Sequence, residues 1–313
     1  MVKYKSKLSA AAVFLVMCFT LVMSGYDSMT SVGATGGTDY VKYTYATGTQ
    51  VTYNLPEIPT MASANALTMR AASYSDPRDP YYDSAVVRLN LYDYVNPNNP
   101  SSGSYVSFGT GFIIGDHEIM TAAHCVYDKN DGFNDYVKIS FPDNDGSVAN
   151  SSKINVVSAH VPQDYINLIN NPTGQGSQDL DYAILTVDED LSQYGYYLLG
   201  MGTDSIKQKN VPIHSLGYYG DTLKISHGTV NGIGELSYNF DLYSYYGSSG
   251  GPIYTESVFG IQGSLDEEYQ IKTYRTAISI VHGPSGTVLV GTRIRPIIIQ
   301  FAYDNAIIQI GRA

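Results

Sequence analysis

Gly247-Ser248-Ser249-Gly250-Gly251-Pro252 sets Ser249 in a run of small residues with glycine on both sides. Glycine has no Cβ and tolerates positive φ, so the chain can turn sharply there and another molecule can approach the backbone. Taken alone, the run reads equally well as a Gly/Ser turn between two strands. Its meaning depends on what accompanies it elsewhere in the 313 residues.

Two other stretches accompany it. Thr121-Ala122-Ala123-His124-Cys125 follows the apolar run 111–114 after a polar turn at Gly115-Asp116-His117. Asp179-Leu180-Asp181-Tyr182-Ala183-Ile184-Leu185 brings one acid, Asp181, into an otherwise apolar strand. Singly, the histidine reads as structural and the acid as a solvated strand end. Together they supply a set. Serine is a weak nucleophile that needs a base. Neutral histidine suits that task near pH 7. A buried carboxylate fixes the imidazole tautomer and stabilises the imidazolium that forms. The chain order His, Asp, Ser is the chymotrypsin order, whereas subtilisin-like and α/β-hydrolase enzymes use others.

The texture between these stretches agrees with that order. Short apolar runs at 85–91, 105–108, 111–114, 137–141, 154–157, 182–187, 211–216, 223–226, 252–254, 276–281 and 288–294 alternate with Gly, Asn, Asp and Pro clusters. This spacing predicts an all-β sandwich or barrel rather than an α/β fold. Thirty glycines and 29 tyrosines favour turns and strands in the same sense. Arg295-Pro296 opens a last apolar segment through Phe301 and Ala302, with proline suited to a first helical position. A short C-terminal helix is expected there.

The segments around His124, Asp181 and Ser249 resemble those of trypsin-like serine proteases. The likeness is closest to the bacterial glutamyl endopeptidases, the staphylococcal V8 protease family. Ala123–Asp128, Leu216–Asp221, Phe240-Asp241-Leu242 and Gly291-Thr292-Arg293-Ile294 agree with that branch. The resemblance covers roughly residues 80–305. It implies two packed six-stranded antiparallel β-barrels, roughly 80–190 and 191–295, with the site in the cleft between them. It also implies an oxyanion hole made by the N–H groups of Gly247 and Ser249, and a secreted serine endopeptidase acting on proteins or peptides as a monomer.

Specificity is expected from the pocket for the residue before the scissile bond. Selection of Lys or Arg needs an acid six residues before the nucleophile, and Tyr243 stands there. Ser244 occupies the place where glutamyl endopeptidases carry Ser or Thr, and its hydroxyl can donate to a substrate carboxylate. The family's pocket histidine has two candidate alignments. One uses His282, separated from Ser249 by an insertion at 258–273. The other puts Val258–Gln262 on that strand, with Gln262 replacing the histidine. A register one residue off would turn His282 to the opposite face. The expected cleavage is after Glu, and also Asp.

The remaining features bound the class. A net charge of −11, from 29 acids and 18 bases, argues against a nucleic-acid binder. Lys3, Lys5 and Lys7 precede the apolar run 8–22 and a small-residue point at Ser24, the pattern of a signal peptide over 1–24. No membrane association is expected after its removal. Cys18 would leave with it, so Cys125 has no intramolecular partner. Residues 25–75, rich in Thr, Ser, Gly and Tyr, read as a propeptide or flexible leader, with Arg70 and residues 76–79 as candidate maturation points. The protease domain is then 76–313. Asp128–Asp135 has oxygen-rich side chains but not an EF-hand register, and a solvated hairpin is the better reading. The remaining histidines (His117, His160, His214, His227) show no metal-ligand spacing. Neither a metal nor another cofactor is expected for this chemistry.

Overall fold

The computed structural model describes residues 39–54, 84–94, 103–143, 145–149, 151–171, 179–201, 210–261, 270–285 and 288–302. The expected signal peptide, Gln262 and both candidate maturation points lie outside the described residues.

Two antiparallel sheets carry the fold. The first has nine strands, in the order Thr49–Asn54, Asp39–Thr44, Ser158–Pro162, Ala183–Thr186, Glu118–Thr121, Gly103–Ile113, Val86–Tyr94, Tyr136–Ser140, Lys153–Asn155. The second runs Thr222–Gly228, Ile213–Tyr219, Pro252–Ile261, Gln270–Ser285, Val288–Arg293, Ser237–Phe240, Val230–Ile233. Its eighth strand, Leu198–Leu199, pairs in parallel with Thr276 and Ala277. The all-β architecture is as expected; among the described residues the two sheets have nine and eight strands. Among the described residues, α-helix is confined to an eight-residue helix at Gln163–Asn170 and a C-terminal one opening at Pro296.

Strand Val86–Tyr94 shows why the two halves pack. Val86, Val87, Leu89 and Leu91 are buried, and so are Arg88 and Asn90 between them. A strand covered on both faces must pair its polar groups. Arg88 Nε donates to Gly220 O (2.9 Å) and Nη2 to Tyr105 Oη (2.7 Å), while Nη1 donates to Asn90 Oδ1. Its guanidinium carbon lies 4.5 Å from the centre of the Phe108 ring. Gly220 belongs to the turn of the second sheet, so one buried cation fastens one sheet to the other. Leu216, Tyr218, Tyr254 and Ile280 join the apolar core of the first sheet, closing the same junction.

Residues 39–54 fall within the stretch expected to be a propeptide or flexible leader. They form a hairpin whose first strand pairs antiparallel with Ser158–Pro162, from Tyr40↔Pro162 to Thr44↔Ser158. Tyr40 is fully buried, stacked 4.0 Å from Phe301 of the C-terminal helix and hydrogen-bonded to Tyr182 Oη at 3.1 Å. Tyr53 Oη meets His160 Nδ1 at 2.9 Å. Aromatic rings supply here the apolar area that aliphatics usually supply. Replacing Tyr40 with Ala in the full chain should cost about 3 kcal/mol or more, as for other large aromatic truncations in a core. A urea unfolding midpoint unchanged by the substitution would show that the hairpin contributes nothing to stability.

Within the expected insertion at 258–273, residues 258–261 pair with 270–273. Strand Pro252–Ile261 pairs with the first part of Gln270–Ser285, from Pro252↔Ile280 out to Ile261↔Gln270. The long sequence separation between Ser249 and His282 is the length of that excursion. Asp128–Phe133 closes as a solvated hairpin, with Asn130 N–H donating to Asp128 Oδ1 at 2.7 Å.

Candidate active site

Strand Glu118–Thr121 ends at Ala122, and the chain tightens into a single 3-10 turn over Ala123–Cys125. Ala123 and Cys125 are buried, so His124 between them is turned outward; its side chain is one-third exposed. Asp181 sits just before strand Ala183–Thr186, which pairs with Glu118–Thr121 through Ala183↔Thr121. Adjacent strand ends therefore deliver the base and the acid to one point.

The contact between them is tight. His124 N–H donates to Asp181 Oδ1 at 2.9 Å, and His124 Nδ1 lies 2.6 Å from Oδ2. Thr292 Oγ1 donates to the Asp181 carbonyl at 3.2 Å. Asp181 is fully buried. Burial pushes its carboxyl up, but His124, and then His282, outweigh that and hold it well below the usual carboxylate range. Burial likewise disfavours charge on His124; Asp181 and then the Cys125 thiol overcome it and raise the imidazole well above its ordinary value. The pair is therefore carboxylate plus a strongly basic imidazole, with Nδ1–H facing the acid and Nε2 facing away.

The second sheet supplies the serine loop. Gly247 has φ +96° and Gly250 φ +84°, the region that excludes other residues. A Cβ on Gly250 would lie 2.1 Å from Thr121 Oγ1 and 2.2 Å from Thr110 O; one on Gly247 would lie 2.0 Å from the Phe108 ring. Both glycines are thus required by close packing against the first sheet. Thr110 is the clamp: its N–H donates to Ser249 O (2.8 Å) and its Oγ1 to Gly247 O (2.7 Å). Gly250 N–H donates to Val281 O, and Val281 N–H to Gly251 O, at 2.7 and 2.9 Å. The N–H groups of Gly247 and Ser249 take no partner among the described residues. Ser249 Oγ donates to the carbonyl of His282 at 3.2 Å.

His124, Ser249 and Gly247 line one cavity of about 330 Å³, with Leu91, Phe108, Cys125 and Tyr246 as apolar wall. Ser244 also reaches it, and its Oγ lies 3.1 Å from Ser248 Oγ. His282 does not line it. The sequence sets His282 beside Ser244 in the substrate pocket, and here its Nδ1 is hydrogen-bonded to Asp181 Oδ2. The reason is a register shift between Val281 and Gly283 in the pairing with Val288–Arg293, with Gly283 at φ +152°. That irregularity turns the intervening side chain to the acid. Thr110 and Thr292 were missed from sequence, since a threonine within an apolar strand carries no signal of its own.

His124, Asp181 and His282 place their ligand-type atoms within 4.8 Å of one another. Two groups on one zinc ion at about 2.0–2.2 Å each would stand about 3 Å or more apart. The 2.6 Å between His124 Nδ1 and Asp181 Oδ2 is a hydrogen-bond length.

A base, its carboxylate and a glycine-bound serine, set between two β-sheets, define a serine-hydrolase type of site. Residues 109–261 match the family model of the trypsin-like peptidase domain, a span that includes His124, Asp181 and Ser249. That span is therefore assigned to a trypsin-like peptidase domain. Among solved structures the chain is similar to a Glu endopeptidase in complex with MPD, with a TM-score of 0.53 and 17% identity. That match covers 75% of this chain and 96% of the other. The protease Anisep from Arthrobacter nicotinovorans is similar at TM-score 0.49 and 15% identity, over 74% of this chain and 97% of its own. A thermostable serine protease, AL20, from an extremophilic microorganism follows at 0.48 and 14%, over 71% and 98%. At this identity the first likeness is one of fold, the chymotrypsin type. No curated protein matches the chain. Among the described residues, no helix is long and apolar enough to cross a membrane.

Proposed function

We propose that this chain is a secreted serine endopeptidase that cleaves proteins or peptides through an acyl-enzyme, as a monomer and without nucleic acid or membrane as partner. The observation that carries the reading is the doubly held Asp181–His124 pair beside the glycine-bound Ser249. Ser249 Oγ swings from the His282 carbonyl to His124 Nε2 and gives up its proton there. The oxygen bonds to the scissile carbonyl carbon, whose own oxygen becomes an anion held by the N–H groups of Gly247 and Ser249. Each such donor is usually worth about 3–4 kcal/mol in the transition state. The carbon–nitrogen bond then breaks as Nε2–H protonates the leaving amine. Water repeats the sequence on the acyl-enzyme. The apolar wall of Leu91, Phe108 and Tyr246 limits water at the reacting carbonyl. Secretion rests on Lys3, Lys5, Lys7 and the apolar run 8–22.

Cleavage after Glu, and also Asp, is supported by Ser244, whose hydroxyl reaches the cavity without negative charge. Tyr243, in place of an acid, speaks against a basic preference. One observation favours a second reading. His282 is committed to Asp181, so it does not lend a cation to a carboxylate pocket, and an active protease of different narrow specificity fits that placement. Matched peptides with Glu, Gln, Phe and Lys before the scissile bond separate the two. The glutamyl reading expects kcat/KM for Glu to exceed Gln by tenfold or more, with Lys the poorest. Equal rates for Glu, Gln and Phe would leave the second reading standing and remove the first.

A further inference from the structure

We infer that His214 and His227 form a binding site for one zinc-class divalent ion on the second sheet, apart from the catalytic cavity. The inference goes beyond the peptidase reading and does not depend on it, since neither histidine lines that cavity.

Strand register makes the site. His214 lies on strand Ile213–Tyr219 and His227 on Thr222–Gly228, the two arms of one hairpin. They are thirteen residues apart, a spacing that carries no ligand signal in the sequence, but antiparallel pairing sets them directly opposite each other. Residues so paired put their side chains on one face. Ile213 enters the apolar core of the second sheet, so the adjacent His214 turns to the other face. There the two Nδ1 atoms lie 2.6 Å apart, with the rings edge to face at 84° and centroids 4.8 Å apart. Tyr254, opposite His214 on the next strand, packs its ring 5.4 Å from the His214 ring and backs it from that side.

Two nitrogens aimed at one point are what the ion needs. A neutral imidazole has one N–H and one lone pair. At 2.6 Å one Nδ1 donates and the other accepts, so the pair holds a single proton between two lone pairs. A borderline metal ion takes that proton's place. Imidazole nitrogen suits zinc, copper and nickel, whereas calcium and magnesium take oxygen. On zinc the two nitrogens would stand about 3 Å or more apart, so the rings must part by less than about 1 Å. His227 is exposed, and its ring can make that shift. The catalytic pair at the same spacing differs, because Asp181 is fully buried and fixed by further hydrogen bonds.

The groups acting on His214 are His227, Glu256 on strand Pro252–Ile261 and Arg275 on strand Gln270–Ser285. Glu256 and Arg275 are bridged at 3.2 Å, so their charges oppose each other at the pair. Partial burial holds His214 below its ordinary imidazole value, in the neutral form that a metal ligand requires near pH 7. The ion would pin the hairpin on which the serine loop rests. Ser226 Oγ accepts Tyr243 N–H at 2.8 Å, and Tyr218 N–H donates at 3.0 Å to Thr110 Oγ1, the group that clamps Gly247. Its effect is therefore expected on stability.

The test is calorimetric titration of zinc chloride into the folded protein at about pH 7.5. The comparison is wild type, His214→Gln, His227→Gln and His124→Gln, each checked by its urea unfolding midpoint. Wild type should show a saturable zinc site that His124→Gln keeps. His214→Gln and His227→Gln should each weaken it at least tenfold, since loss of a group that merely orients a metal ligand already costs about 10- to 100-fold. Wild-type affinity should fall as the pH is lowered to about 5.5 and the imidazoles take up protons. Zinc should raise the urea midpoint of wild type more than that of either pair variant. Calcium chloride should titrate no such site. If His214→Gln disturbs the fold, the exposed His227→Gln carries the comparison. No saturable zinc site in wild type, or a site that His227→Gln leaves unchanged, overturns the inference. A site lost in His124→Gln and kept in His227→Gln assigns the zinc to the catalytic cluster and overturns it as well.

Discussion

Ser249→Ala should reduce peptide hydrolysis by about 10⁴- to 10⁶-fold, the scale seen when the nucleophile of such a triad is removed. The size follows from what is lost. No other described hydroxyl combines a place in the cavity beside His124 with the positive-φ glycine turn that brings the backbone N–H groups to the same point. Ser244 also lines the cavity, but its Oγ faces Ser248 Oγ. The substitution removes one oxygen and leaves the loop's main-chain bonds to Thr110, Val281 and Ser248 in place. Urea unfolding of the variant should therefore match wild type. Activity within tenfold of wild type in kcat would mean that the chemistry lies elsewhere.

Asp181→Asn should cost about 10⁴-fold in kcat/KM near neutral pH, as loss of the carboxylate does in the triad on which this reasoning is patterned. An amide meeting Nδ1 with its own N–H forces the opposite tautomer, which places the proton on Nε2 and removes the base. The pH profiles should part as well. In wild type, Asp181 raises His124 well above the ordinary imidazole value, so the acid limb of kcat/KM should lie above about pH 6.5. A raised value means the proton is kept to higher pH, and activity grows only as it leaves. With the carboxylate gone, the largest raising influence on His124 is lost and burial is opposed by the Cys125 thiol alone, so the residual activity of the variant should have its acid limb below that of wild type. A loss under tenfold, or acid limbs that coincide, would separate Asp181 from the reaction.

What was legible in the chain was what short stretches encode. The serine loop, the 121–125 turn and the acid entering strand 183–186 each carry residues whose local geometry is unusual, and their order pointed to the fold. The glycines at 247 and 250 are of this kind: a turn with positive φ and no room for a Cβ admits little else. The C-terminal helix opened at Pro296, where proline's fixed φ predicted it. The hairpin at 39–54 was not legible, because its stability lies in pairing with Ser158–Pro162, more than a hundred residues on, and in tyrosine stacking. His282 was picked out, but not the group it faces. A register shift of one residue between Val281 and Gly283 decides that orientation, and periodicity cannot report a shift it does not contain.

The central claim is that Ser249 is a nucleophile activated by His124 and Asp181. Mass spectrometry of the folded protein after treatment with a fluorophosphonate addresses it most directly. The account predicts a single adduct, mapped to Ser249, formed by wild type and absent from His124→Ala at equal folding. No adduct on folded wild-type protein, or an adduct on Ser249 that forms equally fast without His124, would contradict it.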